Sequence, residues 1–176
     1  MKGVSLFFSQ RATMKNTSLY LNRTLNASGD LTCDSQTTIR TFGSVVLTDS
    51  IFTCNSMTNG SVALARVAVQ GNTFVEGTVH SDNSTFEGHT SLVRQAFGSI
   101  TVGPKGELFS ERLVVDGLLS TYGTVQGEIT ATTVHSHGSV FQSSNVSFLE
   151  GQFWGDTTVK GSKISSSKVY QVNVIL

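Results

Sequence analysis

GNTFVE (71–76), GHTSLV (88–93) and GELFSE (106–111) open three consecutive segments of the stretch from Gly71 to Tyr122, and a fourth begins at Gly123. The starts lie 17, 18 and 17 residues apart, and a second glycine keeps step at Gly43, Gly60 and Gly77. Self-similarity at a fixed period of this length marks an array of stacked units, so the period governs how every other residue is read.

Extended in both directions, the frame places units at Thr37, Cys54, Gly71, Gly88, Gly106, Gly123, Gly138 and Gly155, eight units covering residues 37 to 171. The ninth position reads Val45, Val62, Val79, Ala96 and Val114, and the sixteenth reads Phe52, Val69, Phe86, then Phe153 and Tyr170. The unit at Gly123 has only 15 residues. Apolar residues at every second position, inside short runs rich in Val, Thr, Phe and Ile, exclude a helical stripe. At about 3.3 Å per residue, a unit has a contour of roughly 55 Å, enough for three short sides and their corners. Each unit then lies on the one before and exchanges hydrogen bonds with it along parallel ladders. The expected fold is all-β: a single-stranded parallel β-solenoid of about eight rungs of 17 residues.

The organisation that follows is an N-terminal arm at 1–19, a cap or degenerate first rung at 20–36, the solenoid at 37–171 and an apolar C-terminal tail at 172–176. Serine and threonine together number 46 against 24 charged residues, and proline occurs once, at Pro104. Small polar β-formers suit the outward positions of a solenoid, while glycine suits its corners. The extra residue near Gly103-Pro104 and the short unit after Gly123 read as corner irregularities, neither long enough to build a pocket. A formal net charge of zero gives no general case for nucleic acid binding. Cys33 and Cys54 fall in different columns of the 17-residue frame, so stacking is not expected to pair them, and the chain reads as compatible with a reducing compartment. Six Asn-x-Ser/Thr triplets, at Asn16, Asn22, Asn26, Asn59, Asn83 and Asn145, are expected by chance at this Ser and Thr content, and no signal peptide accompanies them.

Val4 to Phe8 form a five-residue apolar patch beside Lys2, Arg11, Lys15 and Arg23, which all precede the first acid, Asp30. Two readings stay open. In one, Val4, Leu6, Phe7 and Phe8 insert into an anionic membrane surface with Lys2 and Arg11 near lipid phosphates. In the other, Phe7 and Phe8 cap the open end of the coil. The last residues end on VIL, an apolar edge that calls for cover.

Candidate chemistry is sparse. His135 and His137 alternate with Ser136 and share a strand face, but no carboxylate or cysteine follows at ligand spacing, so both read as solvated outer residues. Glu76, Glu87, Glu107, Glu111, Glu128 and Glu150 fall one or two to a rung without forming an acid pair. No phosphate-cradling glycine loop is present. A hexapeptide-type acyltransferase needs an aliphatic residue at every sixth position, a pattern that is not sustained here. The expectation is a chain without enzymatic activity, cofactor or metal.

Gly106 to Gly117 (GELFSERLVVDG), with GTVQGEI (123–129), FGSITV (97–102) and GTV (77–79), resembles the bactofilins, bacterial cytoskeletal proteins, over about residues 40 to 165. The resemblance implies a right-handed, three-sided parallel β-helix that polymerises end to end without nucleotide. It also implies a short apolar N-terminal membrane-targeting peptide, to which Met1 to Phe8 is similar. The chain departs from the family in its rather apolar N-terminal arm and in a C-terminus that ends on VIL.

Polymerisation also follows from geometry alone, because each end of a solenoid exposes a full rung of unpaired backbone groups and a cross-section of its core. The expected contacts are Leu21, Leu25, Leu31 and Ile39 at one end, and Phe148, Phe153, Trp154, Val169 and Tyr170 at the other. The expected role is a scaffold on the cytoplasmic face of the inner membrane. Its partners are then other copies of itself, the lipid surface, and cell-wall or morphogenesis proteins. The alternative is a capped, non-polymerising binding module or fibre segment.

Overall fold

The computed structural model describes residues 4–142, 144–171 and 174–175. Every strand pairing among them is parallel, and strands between the two end rungs meet the one a full turn earlier and the one a full turn later, so the chain is a parallel β-solenoid. The first rung has three strands, β1 (Leu6–Phe8), β2 (Ala12–Met14) and β3 (Ser18–Leu21), and the second repeats them as β4 (Thr24–Ala27), β5 (Leu31–Cys33) and β6 (Thr38–Thr41). From the third rung the first two sides run on as one bent strand. β7 (Ser44–Phe52), β9 (Val62–Val69), β11 (Thr78–Phe86) and β13 (Gln95–Val102) are of this kind, and β8 (Asn55–Thr58), β10 (Thr73–Val75) and β12 (His89–Leu92) form the third side. Beyond them β14 (Glu107–Thr121) and β15 (Thr124–His137) run on from the third side of one rung into the next, and β17 (Asn145–Trp154) again spans the first two sides. β16 (Val140–Gln142), β18 (Thr157–Lys160), β19 (Lys163–Gln171) and β20 (Val174–Ile175) complete the coil.

The coil has about ten turns rather than eight. Residues 6–36, expected to be an arm and a cap or degenerate first rung, belong to two rungs that precede the regular frame, the second closing with β6. Leu6 faces Leu25 and Leu25 faces Val45, steps of 19 and 20 residues that a 17-residue frame cannot register. The wider turns also explain the cysteines. Leu31 lies over Phe52, which brings Cys33 beside Cys54, and the two form a disulfide with their Cα atoms 4.8 Å apart. The expectation of unpaired thiols is therefore overturned.

Inside runs a column of apolar side chains for each side. Leu25, Val45, Val62 and Val79 stack on the first, and Leu31, Phe52, Val69 and Phe86 on the second, all essentially without solvent contact. Each such side chain removed from water contributes about 1.5–3 kcal/mol. Two columns assigned by spacing are shifted by one residue. An additional residue between Ser110 and Leu113 puts Val115, not Val114, beneath Ala96, and one near Gly155 puts Gln171, not Tyr170, opposite Phe153. A one-residue slip turns a side chain to the opposite face, so Val114 and Tyr170 point outward.

The repeating glycines stand at corners where successive rungs touch. A Cβ on Gly60 would lie 1.6 Å from the carbonyl oxygen of Gly43, and one on Gly77 would lie 1.8 Å from that of Gly60. The corner between the first and second sides is made differently, by Asp49, Arg66 and Asn83 in left-handed backbone conformation. There the Arg66 guanidinium forms two hydrogen bonds to the Asp49 carboxylate one rung back, which holds the Asp49 carboxyl below its usual range.

Candidate functional site

The two end rungs leave strand edges unpaired among the described residues. At the first rung, Leu6, Phe8, Ala12, Met14 and Leu19 turn inward and pack on the core from one side only. β1, β2 and β3 each have a strand partner below and none above among the described residues. At the other end, Val159 and Ile164 are half-buried, and Val169, which continues the inward column of Gly151, Val134 and Leu119, is 50% exposed. β19 and β20 likewise pair on one side only among the described residues.

The residues expected at these faces divide. Leu25, Leu31 and Ile39 lie one rung in, beneath Leu6, Ala12 and Leu19, and are core rather than contact residues. Leu21 is in the first rung but fully enclosed. Phe148 and Phe153 are buried under the last rung and pack against each other at 5.8 Å between ring centroids. Val169 and Tyr170 do reach the end face, both half-exposed or more. The signal that finds the end residues is the width of the first two turns, which a search at one period passes over.

The expected membrane patch is split by strand alternation. Leu6 and Phe8 face the interior, while Phe7, 70% exposed, and Val4, 54% exposed, face solvent. Arg11 pairs with Asp30 at 3.7 Å, and Lys2 lies outside the described residues. No helix among the described residues is long and apolar enough to cross a membrane.

Trp154 belongs to an outer corner. His137 is stacked between Tyr122 and Trp154 at centroid distances of 4.4 and 4.5 Å, and His135 meets the Trp154 ring edge-on at 5.2 Å. His137 is thus not freely solvated. Burial, and then the nearby charge of His135, push its pKa below the ordinary histidine value. His80 stacks on Phe97, and His89 hydrogen-bonds Glu107 at 2.8 Å. Among the described residues, no three His, Cys, Asp or Glu side chains cluster as a metal site.

The third side carries a shallow outer groove of about 520 Å³, lined in part by Arg40, Met57, Phe74, Ser91 and Phe109. Its rim is a ladder in which the backbone N–H of Asn72 donates to Asn55 Oδ1 and that of His89 donates to Asn72 Oδ1. No family model, curated protein or solved structure matches the chain.

Proposed function

We propose that this chain is a structural protein that assembles end to end into filaments without nucleotide and serves as a scaffold on a membrane face. The observation that carries the reading is the pair of terminal rungs whose strands pair on one side only among the described residues. Each presents unpaired strand edges and a section of apolar core, which is what the adjoining rung of another copy would cover. A heterologous contact of this kind propagates rather than closes. The bactofilin resemblance supports the same role, with cell-wall or morphogenesis proteins as clients on the cytoplasmic side. The Cys33–Cys54 bond pulls the other way on compartment, since structural disulfides belong to oxidising surroundings. Thiol labelling in cells separates the two.

Electron microscopy and sedimentation of the purified protein without nucleotide test assembly. Filaments are expected, and Ile164→Glu should abolish them with the β-rich circular dichroism spectrum unchanged. A single monomeric species at high protein concentration sinks the proposal. That outcome favours the second reading, a binding module, for which the groove over Met57, Phe74 and Phe109 offers the docking surface.

A further inference from the structure

Charge is unevenly placed along the axis. The first rung carries Arg11 and Lys15, and the last carries Lys163 and Lys168, with no carboxylate in either described segment. Between residues 41 and 143 the balance is reversed, with eight carboxylates against four cations. The acids that answer the terminal cations lie inward: Asp30 is one rung below Arg11, and Glu150 is the register partner of Lys168. Neither faces outward across an end.

The register identifies what meets at a junction. Ala12, Leu31, Phe52, Val69, Phe86 and Val102 share one inward column, which continues through Thr121 and Ser136 to Phe153, whose backbone register partner in the last rung is Gln171. The outward column one residue earlier therefore begins at Arg11 and ends at Tyr170. A second copy stacked head to tail in unbroken register sets its Arg11 over the Tyr170 ring. The same pair already occurs within the chain, where Arg40 lies one rung from Tyr20 with its guanidinium carbon 5.8 Å from the ring centroid. A guanidinium at that distance over a phenol face is attracted to it.

On the basis of the end-to-end reading, we propose that the junction between copies is head to tail, with Arg11 of one copy on Tyr170 of the next, and that it forms only when salt screens the four cations it brings together. Without screening, Lys15, Lys163 and Lys168, which the register spreads round the shared rim at different corners, repel across it, with no acid in either described terminal rung. Exposed charges interact across about 30 Å at 0.01 M ionic strength but only about 3 Å at 1 M. Assembly should therefore rise with salt.

The test follows assembled mass by sedimentation and electron microscopy across that salt range, for the whole chain and for Lys163→Glu/Lys168→Glu. The unsubstituted protein should assemble only as salt is raised. The double variant should assemble at low salt and lose assembly as salt rises, because its Glu side chains then attract Arg11 and Lys15. That reversed slope separates charge screening from salt-strengthened apolar association, which favours both proteins alike. Tyr170→Ala should raise the critical concentration several-fold at every salt, and Tyr170→Phe should restore it. Assembly of both proteins independent of salt, or rising with salt in both, overturns the charge gate and leaves the scaffold reading intact. No assembly of either protein at any salt overturns both.

Discussion

At Gly60 the coil leaves no space for a methyl group. A Cβ there would sit 1.6 Å from a backbone oxygen of the rung below, which has no flexible side chain to move aside. Gly60→Ala should therefore force neighbouring rungs apart and cost about 3 kcal/mol, lowering the calorimetric melting temperature by roughly 10 °C. An unchanged melting temperature would mean the corner is looser than it stands here. His137 offers a residue-scale test of another kind. Its pKa is lowered in the fold, first by burial and then by His135, so the folded chain resists a proton that the unfolded chain accepts. Above about pH 6.5 both states keep the imidazole neutral and stability is full. As pH falls below that value, stability declines until the folded-state group titrates too. Melting temperatures measured from about pH 8 to pH 5 should show this decline, and His137→Phe, which keeps a ring between Tyr122 and Trp154, should remove part of it.

At the scale of the element, the disulfide ties β5 to the turn after β7, closing a loop of 21 residues. Such a loop contributes about 3 kcal/mol through the unfolded chain. Because rungs touch only their neighbours, its loss should be felt locally. Reduction, or Cys33→Ser with Cys54→Ser, should speed hydrogen exchange in β1 to β8 and leave β15 to β18 protected. Equal acceleration everywhere would mean the coil melts as one unit. The same elements show where sequence reading succeeds. Turns three to six repeat at or near 17 residues because corner glycines such as Gly43, Gly60 and Gly77 cannot tolerate a Cβ and the inward columns must be apolar, so composition and period are physically forced. The first two turns are just as regular in space but 19 and 20 residues long, so they carry no matching period. Single additional residues near Glu111 and Gly155 leave composition untouched yet invert every later assignment of inside and outside until the corner is passed. The end faces were hidden for that reason. They are defined by which rung is last, and counting rungs requires their true perimeters.

At the scale of the molecule, stability is a sum over contacts between adjacent turns, so the coil is weakest where a turn has one neighbour and strongest at mid-length. The exposed apolar rims and the cations around them lie at these weak ends. A partner seated there would stabilise the fold and extend it in the same act. Parallel wiring has one more consequence. Since the chain advances in one direction by about 4.8 Å per turn, its first and last turns stand at opposite poles roughly 43 Å apart. Whatever is grafted at one pole is held away from whatever sits at the other by a stiff rod whose length changes only in whole turns. Removing a turn such as 62–78 should bring the two cargoes closer by one such step and leave the bearing surfaces alike, which makes the coil a ruler graduated in rungs.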